Sequence, residues 1–171
     1  NTYTMYLFNL KNGKEFGPYY VADVPGYNPL GFDYSKNFFY QAAGYPGQVS
    51  KISVLTGAFD AYTFGTGIID VSDIESTTYF LDDSGIVWSL NWDTKEKKQV
   101  TVGLNSLEIE KHDSNLIVFH SKGLRLYSND VIIKNWEVPF VNLHSELVGV
   151  TESGNAVFLV GSQIWISEPL Y

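Results

Sequence analysis

The sequence predicts an all-β protein assembled from repeats of one four-stranded unit. Three observations carry this. Short runs rich in Val, Ile, Thr, Tyr and Phe alternate with Gly, Asn, Asp and Pro turns along the chain, the pattern of strands and hairpins. No stretch sustains a helical apolar period, and the one candidate, 138–148, carries Pro139 near its start. Finally, markers recur at nearly one spacing. Serines stand at Ser35, Ser76, Ser114 and Ser153, phenylalanines at Phe39, Phe80, Phe119 and Phe158, and glycines at Gly47, Gly85, Gly123 and Gly161, in steps of 38 to 41 residues.

The elements follow in order. Residues 2–10 and 14–21 are two strands around Asn12-Gly13, a dipeptide whose members both tolerate positive φ and so favour a tight hairpin. Pro25-Gly26 and Asn28-Pro29 then interrupt regular structure. A first set of four strands is expected at 30–34, 38–42, 48–55 and 58–64, and a second at 68–72, 77–81, 86–92 and 99–102. A third is expected at 107–111, 116–120, 124–128 and 131–138, and a last set of three at 146–151, 156–160 and 163–167. The repeats thus span 30–65, 68–103, 107–139 and 146–171 behind a leading hairpin at 2–21, all within one domain, 1–171.

Composition bounds the function. The chain has 171 residues, enough for one sizeable core. Its net charge is -8 and Arg125 is its single arginine, so nucleic acid is excluded as a partner for want of clustered cations. With no cysteine there is neither a disulfide nor a thiolate metal site. No apolar run approaches the length of a membrane span, so no membrane insertion is expected. The absence of Asn-x-Ser/Thr argues against a eukaryotic secretory history. A start at Asn1 rather than Met favours a processed, exported chain or an excised fragment.

A repeat of about 40 residues holding four short strands is the signature of a β-propeller blade, whose sheet faces are buried only by stacking on neighbours. On Met5–Tyr19 (MYLFNLKNGKEFGPY) and Val49–Phe59 (VSKISVLTGAF) the chain resembles the β-propeller superfamily, with hairpins similar to those of quinoprotein-like members. The resemblance implies about four four-stranded blades, or a partial propeller whose open edge another chain completes. Asp83-Ser84-Gly85-Ile86-Val87-Trp88 also resembles an Asp-box turn, with Leu81 where that pattern has Ser or Thr.

The resemblance further places Tyr27, Tyr45, Asp82, Asp83, His120 and Phe140 on a common face. There, aromatic rings beside carboxylates suit a sugar or a cation. Asp82 and Asp83, like Asp70, Asp73 and Glu75, are read as turn carboxylates rather than metal ligands, and no cofactor is expected. No nucleophile elbow, phosphate loop or His-Glu-x-x-His motif occurs, so no catalytic residue is assigned. Trp88 and Trp165 are expected in inter-blade packing. Trp92 and Trp136 fall near outer strands and are expected to be exposed, as a protein contact. These readings favour a non-catalytic module that binds a protein or completes a larger propeller. A carbohydrate-binding propeller and a propeller hydrolase are the alternatives.

Overall fold

The computed structural model describes residues 3–8, 12–21, 28–33, 37–43, 47–137 and 145–169. Among the described residues every regular element is a strand: β1 (Tyr3–Phe8), β2 (Glu15–Val21), β3 (Asn28–Asp33), β4 (Phe38–Ala43), β5 (Gln48–Ser53), β6 (Phe59–Thr63), β7 (Ile68–Ile74), β8 (Thr77–Asp82) and β9 (Val87–Asn91). Then follow β10 (Lys97–Gln99), β11 (Ser106–His112), β12 (Asn115–His120), β13 (Gly123–Ser128), β14 (Val131–Glu137), β15 (Ser145–Val150), β16 (Asn155–Val160) and β17 (Gln163–Pro169). They form one two-stranded ribbon, three four-stranded sheets and one three-stranded sheet, each in simple meander order. The chain divides into two compact units, Asn1–Ile69 and Asp70–Tyr171.

In the first unit β1 and β2 pair antiparallel. Asn12 Oδ1 accepts from the Lys14 amide at 3.0 Å and Gly13 takes φ +68°, but Phe8 pairs with Glu15, so the connection is longer than the two-residue hairpin that Asn-Gly favours. The sheet β3-β4-β5-β6 buries Tyr40, Ala42, Val49 and Ile52, with Ala42 opposite Val49 and Phe39 opposite Ile52. Gly47 enters β5 at φ +72°, and any Cβ there would overlap the Thr66 carbonyl. The close approach brings the Phe64 amide to the Gly47 carbonyl at 2.9 Å.

The second unit stacks sheets through two apolar layers. Strand β12 reads Asn-Leu-Ile-Val-Phe-His and is buried on both faces, which is why it is continuously apolar rather than alternating. Leu116 and Val118 join Ile74, Tyr79, Leu81 and Val87 of the preceding sheet, together with Ile109 and Tyr127 of their own. Ile117 and Phe119 point the other way, joining Leu124 and Leu126 of their sheet and Leu147, Ala156 and Phe158 of the following one. Polar seams flank these layers. The Ser106 amide donates to the Gly85 carbonyl and the Ser121 amide to the Asn105 carbonyl, each at 3.0 Å. Asp130 lies in the β13–β14 turn, where it and Asn129 both have positive φ. Its Oδ2 accepts from Lys98 Nζ at 3.3 Å and Ser89 Oγ at 3.4 Å.

Two sequence expectations need correction. The fourth strand of the second set is Lys97–Gln99 rather than 99–102. Asn91 Oδ1 accepts from the amides of Asp93 and Thr94, and Lys95 turns at φ +58°, which brings the return strand forward. The recurring phenylalanines also prove inequivalent. Phe80 lies between Tyr79 and Leu81, which face the β11–β14 sheet, so it points away from that sheet. Phe119 points toward the next sheet, where its ring meets Phe158 at 5.5 Å. Phe119 stands one residue later in its strand than Phe80, and a one-residue offset exchanges faces. The turn between β15 and β16 is two residues longer than that between β11 and β12, which restores the apparent spacing at Phe158.

Candidate binding face

Of the residues expected on a ligand face, Tyr27, Tyr45 and Phe140 lie outside the described residues. Asp82 is 2% exposed. Its Oδ1 accepts from the Ser84 and Ile86 amides, each at 2.9 Å, and its Oδ2 from Trp88 Nε1 at 2.8 Å. With both oxygens engaged, Asp82 holds the β8–β9 turn closed, and Gly85 completes it at φ +78°. The carboxylate that clasps the tryptophan is therefore Asp82, one residue before the position matched to the Asp-box. Asp83 is exposed beside Ser84.

His120 is 2% exposed. Its Nδ1 accepts from the Lys122 amide at 3.2 Å, which places the ring proton on Nε2. That nitrogen and the hydroxyl of Ser106, the cross-strand partner of His120, are buried without hydrogen-bond partners among the described residues. Burial first, then the charges of Arg125 and Lys122, lower the His120 pKa and keep the ring neutral. The acidic group around β7 is not a solvated turn. Asp73 is buried and its Oδ1 accepts from Thr78 Oγ1 at 2.9 Å, and only Glu75 is exposed. Among the described residues no His, Cys, Asp and Glu side chains gather in threes or more as a metal site.

The tryptophans depart from expectation as well. Trp92 is not exposed. It is buried at 5%, its Nε1 donates to Thr78 Oγ1 at 2.9 Å, and its ring meets Phe80 edge-on at 6.2 Å. A buried indole needs such a partner for its N–H, and Thr78 lies opposite Leu90 near the end of the hairpin, within reach. Trp136 is half-buried against the second apolar layer, with Lys134 Nζ 5.0 Å from its ring centre. Trp88 is half-buried and Trp165 is exposed, so the pair do not share one packing environment.

The surface that stands out belongs to the last sheet. Cross-strand pairing puts Val157 opposite Ile166 and Leu159 opposite Ile164, so the four side chains share one face. The preceding sheet has the same arrangement, Ile117 opposite Leu126 and Phe119 opposite Leu124. There all four are buried by β15 and β16. In the last sheet Ile164 is 71% and Ile166 66% exposed, and Val148, beside them on the bulged strand β15, is 61% exposed. Sequence inspection passed over these residues because their alternation reads as an ordinary half-buried strand. The signal was the equivalence of Ile164 and Ile166 with Leu124 and Leu126.

Carboxylates border the two sheet-to-sheet layers of the second unit. Asp70 Oδ2 accepts from the Ile109 amide at 2.9 Å, and Glu108 Oε2 from the Leu147 amide at 3.0 Å. Burial raises the Asp70 pKa to about 6 against the lowering effect of its amide bonds. Burial likewise raises Glu108 to about 7, helped by the charges of Asp70, Glu146 and Glu110.

No known family profile matches the chain, and no curated protein matches it by sequence. Solved structures do resemble it. The N-terminal domain of Nup159 superposes with TM-score 0.52 at 15% identity over 84% of this chain and 44% of that one. BamB from Moraxella catarrhalis gives 0.59 at 12% identity over 81% and 48%. The extracellular domain of the hybrid two-component system BT3049 from B. thetaiotaomicron gives 0.59 at 14% identity over 96% and 23%. All three are β-propeller proteins, and the likeness establishes an all-β propeller fold for this chain. The chain spans less than half the length of each of these structures.

Proposed function

We propose that this chain is a non-catalytic β-propeller module that binds a protein partner through the uncovered face of the β15–β17 sheet. One observation carries the reading: Ile164 and Ile166 are exposed at positions whose counterparts, Leu124 and Leu126, are buried between sheets. Covering a side chain of that size is worth about 1.5–3 kcal/mol, so a protein surface that covers both gains substantially. Among the described residues the face carries no ring to stack on a sugar, and Asp82, one of the carboxylates considered for a glycan, already holds its own turn.

The test compares wild type with the double variant Ile164→Lys/Ile166→Lys, whose fold is verified by circular dichroism. Both are immobilised and exposed to soluble protein from the source cells, and any protein retained by wild type alone is purified and titrated. The reading predicts at least one purified protein whose affinity falls tenfold or more in the variant. It fails if no protein distinguishes the two surfaces, or if an array of glycans gives the only binding.

A further inference from the structure

His120 and Asp82 are 38 residues apart, and each is the last residue of the second strand of its sheet. Each closes the turn that follows by the same bond. Asp82 Oδ1 accepts from the amide two residues on, at Ser84, and His120 Nδ1 from the amide two residues on, at Lys122. The β12–β13 turn has two residues, Ser121 and Lys122, between the paired His120 and Gly123. Neither takes the positive φ of the turns whose twist matches that of the strands, so the imidazole bond supports the turn. The Ser121 amide donates to the Asn105 carbonyl, which ties this turn to the connection between β10 and β11.

The two acceptors differ in one respect. A carboxyl keeps its carbonyl oxygen as an acceptor when protonated, whereas an imidazole protonated on both nitrogens has none. A charged His120 would turn an N–H against the Lys122 amide. Its Nε2 is buried without a partner among the described residues, so nothing in the closed turn offsets the lost bond. The charged groups around the ring do not help it. Lys122 in the turn and Arg125 on β13 are cations that act against a second ring proton. On β11 the cross-strand partner of His120 is Ser106, which is neutral. The Ser106 amide meets the Gly85 carbonyl of the β8–β9 turn. The carboxylates of that turn are Asp82, already bonded to three donors, and the exposed Asp83.

We propose that the β12–β13 turn is an acid-opened latch: a proton taken up on His120 Nδ1 displaces the Lys122 amide, and the turn and its Asn105–Ser121 link open while the β8–β9 turn stays closed. Burial and the two cations hold the ring below the ordinary histidine value of 6.5 in the closed turn. An open turn returns it to that value, so opening is favoured as pH falls below about 6.5.

Amide hydrogen exchange of the wild-type chain, followed by NMR from about pH 7.5 to about pH 5, tests this with each rate divided by its unstructured value at the same pH. Protection of the Ser121 and Lys122 amides should fall about fivefold or more over that range, while the Ser84 and Ile86 amides, held by Asp82, keep theirs. A change in global stability would not imitate this, since Asp70 and Glu108 favour folding as pH falls. The ring nitrogen chemical shifts should show Nε2 protonated and Nδ1 bare at the upper pH. His120→Asn, whose side-chain oxygen accepts from the same amide without titrating, should keep the protection and lose its pH dependence. Protection of Lys122 that is constant with pH, or that falls in step with Ser84 and Ile86, overturns the proposal. So does an Nδ1–H tautomer at the upper pH, or a pH dependence that survives in His120→Asn.

Discussion

Asp82 and Asp83 are neighbours in sequence and opposites in energetics. Asp82 gives its two oxygens to three donors in a nearly buried turn, so Asp82→Ala strands two amides and an indole N–H. Loss of about 2–4 kcal/mol of unfolding free energy is expected in urea denaturation. Asp83→Ala, at an exposed position, should stay within about 0.5 kcal/mol. The sequence marked both as equal candidates, because nothing in a Leu-Asp-Asp-Ser-Gly string says which carboxylate folds inward. Asp70 and Glu108 make a prediction in pH. Both pKa values rise on folding, from 3.8 to about 6 and from 4.5 to about 7, so the folded state takes up protons. Their effect favours folding at low pH and is lost as pH rises from about 4 through 7. Asp70→Asn/Glu108→Gln keeps an acceptor at each position without the charge. It should melt above wild type at pH 8 and lose that advantage by pH 4, where both wild-type carboxyls are protonated. Equal melting temperatures at pH 8 would contradict this.

At the scale of strands and sheets, strand existence was legible and facing was not. Alternating β-branched and aromatic runs locate strands because each face of a pleated strand has its own solvent or core. The conserved step in a repeat is set by facing, however, and turn lengths vary beneath it. Phe119 and Phe158 looked like copies of one position and are instead partners across an interface. Each truncation to Ala should cost about 3–5 kcal/mol. A double-mutant cycle should show coupling of at least about 0.5 kcal/mol, whereas copies in separate environments would simply add. The glycines are sounder markers where a turn demands them. At Gly85 the φ of +78° and a Cβ position 3.0 Å from the Ser106 amide nitrogen oppose any side chain. Gly85→Ala should therefore destabilise the chain by about 1–3 kcal/mol by thermal or chemical unfolding.

For the molecule as a whole, the period of about 40 residues was sufficient to reach a propeller, because blades bury their faces only on one another. The candidate face was not legible, since an uncovered sheet face has the same residues as a covered one. Ile164 and Ile166 hold the same strand positions as Leu124 and Leu126 and have similar side chains, yet the first pair is exposed and the second buried. Tyr27, Tyr45, Asp82, Asp83, His120 and Phe140 drew attention through their chemistry, yet Asp82 and His120 are buried and engaged within their own turns. The central claim is that the β15–β17 face is a binding surface, and hydroxyl-radical footprinting reads it side chain by side chain, with Leu124 and Leu126 as internal references. In the dilute chain Ile164 and Ile166 should be oxidised far faster than those two leucines, and in the partner-bound state their rates should fall to the leucine level. Protection of Ile164 and Ile166 in the dilute monomer, or undiminished oxidation in every bound state, would contradict the account.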